Sequence, residues 1–377
     1  MATFAPTTTD ELCDVIAGAA RAGGKLEICG GGSKRGIGNP RDADLLDMRG
    51  FADVIDYDPR ELVLTVGAGT PLAEVEALVA GERQMLAFDP FDHGPMLGQG
   101  AGRATIGGVI AAGVSGSRRV SAGGARDQLL GFEAVSGRAE RFVAGGRVVK
   151  NVTGYDLPKL LAGSWGRLAA LTVVTLKVLP APRVVTTCML RGLEPAQAWA
   201  AMARALGSQA GPAAAAHLPF DGGQTLLRLE GVEASVSARL ALLRTLLADF
   251  GSVESLDADL WDALRTLAPL GTGGALWRIS IPARAAPRVV AKLESGRWLM
   301  DWAGGLIWTR TDADPAAIRA LAAEAGGHAM LMGARPGVPT FQPQPSALAA
   351  LENRVRRAFD PAGLFATGRF GDAADAH

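Results

Sequence analysis

Of the eleven residues from Ile28 to Gly38, five are glycine, and the run Cys29-Gly30-Gly31-Gly32-Ser33-Lys34 follows a short apolar segment. Successive backbone N–H groups in such a turn form an anion-binding concavity, and the missing side chains let a diphosphate approach the main chain. Neither familiar phosphate motif fits. No Gly-Lys-Ser/Thr follows at P-loop spacing, and the G-x-G-x-x-G register fails, with Asn39-Pro40 where a helix would have to begin. Alone, the loop reads equally as a turn or as a phosphate cradle. The other reactive side chains are scattered. Cys13, Cys29 and Cys188 suit a reducing compartment and are one short of a four-cysteine iron–sulfur site. His93, His217, His328 and His377 include no pair at i,i+4 or alternate spacing, so no metal site is expected.

The elements around the loop are readable from pattern. Thr8 and Glu11 have capping-box spacing, and Leu12, Val15, Ile16, Ala19 and Ala20 line one helical face until Gly23-Gly24. Lys25 to Cys29 is a short strand leading into the loop. Leu62 to Val66 is a second strand, turning at Gly67-Ala68-Gly69 into a helix with Thr70 as N-cap and Pro71 at its first position. Thr105-Ile106-Gly107-Gly108 opens a helix of small residues that ends before Ser115-Gly116-Ser117. That stretch reads either as a tightly packed helix or as a ligand contact, since glycine inside a helix is otherwise unfavourable by about 1 kcal/mol. Leu129 to Val135 and Glu140 to Val143 form a predicted hairpin, and Leu171 to Leu179 a strand.

Composition limits the options. The chain has 377 residues, enough for two domains. Lys plus Arg (38) balance Asp plus Glu (38) without a basic block, which argues against nucleic acid as a partner. No apolar run approaches the roughly 18 residues of a membrane span, and the N-terminus lacks the features of a signal peptide, so a cytoplasmic protein is expected. After Pro180-Ala181-Pro182, strands such as Val184 to Leu190, Thr225 to Glu230 and Leu276 to Ile281 alternate with helices such as Val236 to Phe250 and Pro315 to Ala325, which predicts an antiparallel sheet with helices on one face. Six of the seven tryptophans lie there, either as core or facing a partner.

Together these pieces resemble the vanillyl-alcohol-oxidase, or PCMH-type, FAD-binding flavoproteins, and within them the bacterial glycolate oxidase and D-lactate dehydrogenase group. The resemblance rests on Gly30 to Ser33, Gly67-Ala68-Gly69, Thr105-Ile106-Gly107-Gly108, Lys150-Asn151 with Gly154-Tyr155-Asp156-Leu157, and Gly163-Ser164-x-Gly166 with Leu168, in the family's order. It implies an α+β fold: a PCMH-type FAD-binding domain over 1–182, an α+β cap domain with an antiparallel sheet over 183–346, and a C-terminal helix and tail over 347–377 that return to the FAD domain. It implies that the amides of Gly30, Gly31, Gly32, Ser33 and Lys34 hold the FAD diphosphate, with Cys29 beside them, and that Thr105, Ile106, Gly107 and Gly108 pack against it. Ser115, Gly116 and Arg118, with Gly163, Ser164 and Leu168, would line the flavin, and Gly154, Tyr155 and Asp156 belong to the same implied site. The loop offers no His or Cys for a covalent flavin link except Cys29, so FAD is expected to be non-covalent.

The second half departs from the active dehydrogenases of this group, which carry a histidine-rich metal site, a nearby base and a carboxylate-gripping arginine. Gly326-Gly327-His328 resembles the start of that motif, but Ala329-Met330-Leu331-Met332 follows where polar residues belong. Without a base, hydride transfer from a hydroxy acid lacks its proton acceptor. The tail motif Gly363-Leu364-Phe365-Ala366-Thr367-Gly368-Arg369 restores the resemblance, with Thr367 where the family has proline. The implied reading is an FAD-binding subunit of a glycolate oxidase complex, acting beside a catalytic flavoprotein subunit and an iron–sulfur subunit, with any membrane association made through those partners. The alternatives are a stand-alone FAD-dependent hydroxy-acid or alcohol dehydrogenase using Tyr155, Asp156 or His328 as base, and a structural subunit whose FAD carries no electrons.

Overall fold

A computed structural model describes residues 1–146, 155–256, 260–293 and 297–371. They form two compact units. The first takes Met1–Gly116, Gly123–Ala181 and the chain from Ala334 onward; the second takes Ser117–Ala122 and Pro182–Gly333.

The first unit begins with the helix Thr9–Ala22, closed by the capping box. The Thr8 hydroxyl accepts from the Glu11 amide at 3.2 Å and the Glu11 carboxylate accepts from the Thr8 amide at 3.3 Å. Gly23, at φ 65°, ends it in the left-handed conformation. Leu12 and Ile16 on its inner face are fully buried with Leu26, Leu46, Leu364 and Phe365. The strand Leu26–Cys29 runs parallel to Asp44–Asp47, which pairs in turn with Thr3–Phe4. The glycine loop therefore leaves the end of an edge strand held along one side by Asp44–Asp47.

A second sheet is antiparallel, in the order Val54–Asp58, Val63–Gly67, Ala169–Lys177, Leu129–Ser136, Arg141–Gly145. The helices Leu72–Gly81 and Ile106–Ala112 bury Leu72, Val75, Val79, Ile106, Val109 and Ile110 in one core with Leu64, Val66 and Val174 of this sheet. The first of these helices starts one residue later than its sequence predicts: Pro71 is the N-cap and makes no side-chain cap bond. The cause is the neighbouring chain, because the Leu72 amide donates to the Ala104 carbonyl and the Ile106 amide to the Thr70 carbonyl, so residues 70–72 are held by pairing with 104–106.

In the second unit all eight strands are antiparallel, ordered Glu254–Leu256, Val184–Arg191, Gln224–Gly231, Ala214–Leu218, Trp298–Asp301, Leu306–Thr311, Ala275–Ser280, His328–Leu331. Read along the chain, this is one strand-helix-strand-strand-helix-strand motif over 184–256 and a second over 275–331, joined at His217 and Met300. Trp261, Trp277, Trp298 and Trp308 are buried; Trp199 and Trp302 are partly so. Most of the tryptophan enrichment is therefore core. No helix among the described residues is long and apolar enough to cross a membrane.

Candidate flavin-binding site

Three glycine segments meet by backbone contact in the first unit. A Cβ on Gly31 would lie 1.6 Å from the Arg103 carbonyl oxygen, and one on Gly30 would lie 2.1 Å from the Thr105 hydroxyl. A Cβ on Gly107 would be 2.7 Å from both the Cβ and the carbonyl oxygen of Ala68. Glycine at these positions lets the loop, the helix Ile106–Ala112 and the turn Gly67-Ala68-Gly69 approach more closely than any side chain permits. The unfavourable helical glycine at 107 is thus explained by packing. Thr105 serves both contacts, since its hydroxyl also caps the helix by accepting from the Gly108 amide at 3.3 Å.

The three segments line one open cavity. Cys29 through Lys34, Thr105, Gly107 and Gly108 border it, as do Ala68, Ala111, Ala112, Trp165, Gly166 and Arg369. Among the described residues, the backbone N–H groups of Gly31, Gly32, Ser33 and Lys34 find no acceptor. Buried amides ordinarily have one, so four donors at a cavity wall fit an anionic ligand. The donor set fits a diphosphate: consecutive amides, the Ser33 hydroxyl and the Lys34 ammonium.

The electrostatics point the same way. Lys34 is 8% exposed and, among the described residues, its Nζ reaches only the Ser33 hydroxyl, at 3.4 Å. Burial pushes its pKa down to about 8, and Asp92 opposes that shift from a distance. Below the loop, Glu27 is 4% exposed and ion-paired to Arg35 at 2.9 Å and to Arg41. Burial raises the pKa of its carboxyl, but hydrogen bonds from Arg41 and Arg35 outweigh that and leave it below the ordinary value. Arg369 stands 4.0 Å from the same carboxylate and donates to the carbonyls of Ile37 and Lys34. Burial and then Arg41 lower its guanidinium to about 10. Cations thus outnumber carboxylates around the loop. Cys29 is a buried thiol whose pKa is raised, first by burial and then by Glu27, so it stays neutral.

The remaining expected site residues lie elsewhere. Ile106 and Leu168 are core side chains. The Ser115 hydroxyl accepts from the Ala125 amide at 3.0 Å, and Gly116 packs where a Cβ would strike Asp89. Arg118 belongs to the second unit, where its Nη1 pairs with Glu230 at 3.0 Å beside Arg228. Gly163, at φ 85°, and Ser164 form the turn before Trp165, which does reach the cavity. Tyr155 is 91% exposed, and Asp156 caps the helix Leu157–Leu161 while paired to Lys159. His328 is exposed at the start of its strand. Lys150, Asn151 and Gly154 lie outside the described residues.

Glu27, Arg41, Arg103 and Trp165 border or support the cavity without a sequence signal of their own. Trp165 holds a left-handed backbone at φ 59° and contacts Phe341 and Phe370 from the tail. Arg167, two residues on, has its guanidinium 4.9 Å from the Phe341 ring and 5.4 Å from that of Phe370. Among the described residues no group of three His, Cys, Asp or Glu is arranged to hold a metal ion.

The loop, its amide donors and the fold define an FAD-binding flavoprotein, and residues 1–145 match the FAD binding domain family. Over 96% of its length the chain superposes on 76% of alkyldihydroxyacetonephosphate synthase with a TM-score of 0.66 at 16% identity, a likeness of fold. It is 35% identical to the glycolate oxidase subunit GlcE of Escherichia coli (strain K12), over 91% of this chain and 92% of that protein. The chain belongs to the family of that subunit, among the FAD-dependent oxidoreductases. Two further relatives are matched over shorter spans. A D-lactate dehydrogenase of Archaeoglobus fulgidus is 35% identical over 35% of this chain and 28% of that protein, and the glycolate oxidase subunit GlcD of Bacillus subtilis 27% identical over 50% and 39%.

Proposed function

We propose that this chain is the FAD-carrying subunit of a complex that oxidises glycolate to glyoxylate, in which a partner flavoprotein performs the oxidation and an iron–sulfur partner takes the electrons away. The observation that carries this reading is the end-to-end match to GlcE combined with an amide-lined cavity at Gly31 to Lys34. FAD, when bound, supplies a two-electron carrier. The chain's own residues hold it: the four loop amides and Lys34 bind the diphosphate, Arg369 fixes the loop from behind, and Ala68, Gly107 and Gly108 form a flat wall. The neutral, buried Cys29 thiol supports non-covalent attachment.

Catalysis on a partner is supported by the residues that could have served as base. Tyr155 and the ion-paired Asp156 are not cavity residues, and neither is His328. The protein would work in the cytoplasm and meet a membrane only through its partners. The test is to purify the chain alone with FAD and assay glycolate with an artificial acceptor. The reading expects negligible turnover until the partner subunits are added, with flavin released intact on acid precipitation. Turnover by the isolated chain at the rate of the complex contradicts it.

A further inference from the structure

One carboxylate outside the flavin cavity organises the segment 92–104, which crosses the glycine loop. Asp92 Oδ1 accepts from the Gly94 amide at 2.9 Å, an Asx turn, while Oδ2 accepts from the amides of Arg103 at 2.9 Å and Ala104 at 3.3 Å. Its two oxygens thus join both ends of the segment, which is closed again inside by the Gln99 amide on the Gly94 carbonyl at 2.8 Å. An ionised carboxylate has the lone pairs to serve three amides from two sides at once; a carboxamide, with one oxygen, does not.

From this neck the segment meets the loop twice. Arg103 Nε donates to the Gly31 carbonyl at 3.1 Å, and the Arg103 carbonyl oxygen lies where a Cβ on Gly31 would be 1.6 Å away. The carbonyl and N–H of a trans peptide point to opposite sides, so the arginine that holds the Gly31 oxygen turns the Gly32 N–H the other way. Gly31 and Gly32 border the cavity; Asp92 and Arg103 do not.

The same carboxylate acts on Lys34, which forms no ion pair among the described residues. Burial brings the Lys34 pKa down to about 8; Asp92 from this segment opposes that shift, Arg369 from the tail adds to it, and Cys29 from the strand Leu26–Cys29 opposes it. The raised Cys29 thiol stays neutral, and Arg369, lowered to about 10, is still a cation when Lys34 titrates. Glu27, the other carboxylate near the loop, is taken up by Arg35 and Arg41. A carboxylate beside an anion site repels the anion, so Asp92 has a cost there that its other contacts must offset.

We propose that Asp92 is a positioning residue of the flavin site: its carboxylate clamps the segment 92–104 onto the glycine loop through Arg103 and presents a negative charge to Lys34. The clamp sets the direction of the Gly31–Gly32 peptide, and the charge keeps the lysine an ammonium in the pH range where it meets the diphosphate. The inference rests on the reading that the loop holds the FAD diphosphate, and it adds a control of that grip by a residue that does not touch the ligand.

The test is an FAD titration of the deflavinated full chain from about pH 6 to 9, in wild type, Asp92→Asn and Arg103→Gln, with riboflavin in parallel. Asp92→Asn is expected to weaken FAD about tenfold at neutral pH, the effect of one hydrogen bond to a charged group. It is also expected to bring the fall in affinity that follows Lys34 deprotonation to a pH lower by about half a unit or more. Arg103→Gln should weaken FAD severalfold with the pH profile in place, since it loosens the clamp and leaves the carboxylate. A merely structural Asp92 would weaken FAD by one factor at every pH. That result, or wild-type FAD affinity in either variant, overturns the inference. Arg103 is exposed, so its variant decides the clamp even where Asp92→Asn fails to fold. Failure of the underlying reading looks different: wild type would bind riboflavin as tightly as FAD, which removes the diphosphate cradle and this inference with it.

Discussion

Arg369, near the end of the chain, donates from Nε to the Ile37 carbonyl at 2.9 Å and from Nη2 to the Lys34 carbonyl. A tail residue thereby fixes the curvature of a loop more than three hundred positions earlier. The Asn39 amide donates in return to the Arg369 carbonyl, so the contact is made from both sides.

Arg369→Ala removes both donors and one of the cations facing buried Glu27. Hydrogen bonds involving a charged group contribute about 1.5 to 3 kcal/mol each, so stability is expected to drop by roughly 2 to 4 kcal/mol in urea unfolding, with much of the FAD lost on gel filtration. Arg369→Lys should recover only part of the loss, since an ammonium cannot span the two carbonyls as the fork does.

Gly31→Ala and Gly36→Ala separate packing from flexibility. At Gly31 the added methyl meets the Arg103 carbonyl at 1.6 Å; at Gly36 the nearest neighbour is the Gln99 side chain at 3.7 Å, an ordinary contact. The Gly31 variant is expected to copurify without FAD and to melt well below wild type, whereas Gly36→Ala retains flavin and melts within a few degrees of it.

Lys34 gives the first unit a pH dependence. Its folded pKa of about 8 lies below the unfolded value of roughly 10.4, so the unfolded chain binds more protons between those values and stability rises with pH across that window. The apoprotein should gain roughly 3 kcal/mol between pH 8 and 10.4, a slope absent in Lys34→Met. FAD affinity runs the opposite way, weakening above pH 8 as the ammonium facing the diphosphate is lost. Stability and flavin titrations of both proteins across this range check the two signs together.

His217 gives the second unit a pH dependence of the same sign, in a lower window. It is 1% exposed, bonded to the Thr225 hydroxyl at 2.9 Å, and burial holds its pKa down at about 4. Its neutral form is built into the fold, so its contribution is complete above the unfolded pKa near 6.5 and fades as pH falls towards 4. Acid unfolding should show a loss of roughly 3 kcal/mol over that interval, flattened in His217→Gln.

Local signals were legible where the physics is local. The Thr8–Glu11 box, the helix opening at Thr105 and the apolar periodicities of the early helices appear in the structure within a residue or two, because cap and face residues interact with near neighbours. Pro71 moved because residues 104–106 pair with its segment, a contact from far along the chain. The duplicated motif of the second unit left no visible repeat, since its two copies share topology and not side chains. At the site, the glycine loop was legible because closeness requires glycine. Glu27, Arg41 and Arg103 were not, since a buried ion pair and a surface arginine look alike in sequence.

The most direct measurement is an equilibrium titration of the deflavinated protein with FAD and with riboflavin, followed by flavin fluorescence, in wild type and Lys34→Met. If the loop at Gly31 to Lys34 holds the diphosphate, wild type binds FAD at least a hundredfold more tightly than riboflavin and the variant loses most of that preference. Equal affinity for the two ligands, or a preference untouched by the substitution, contradicts the assignment.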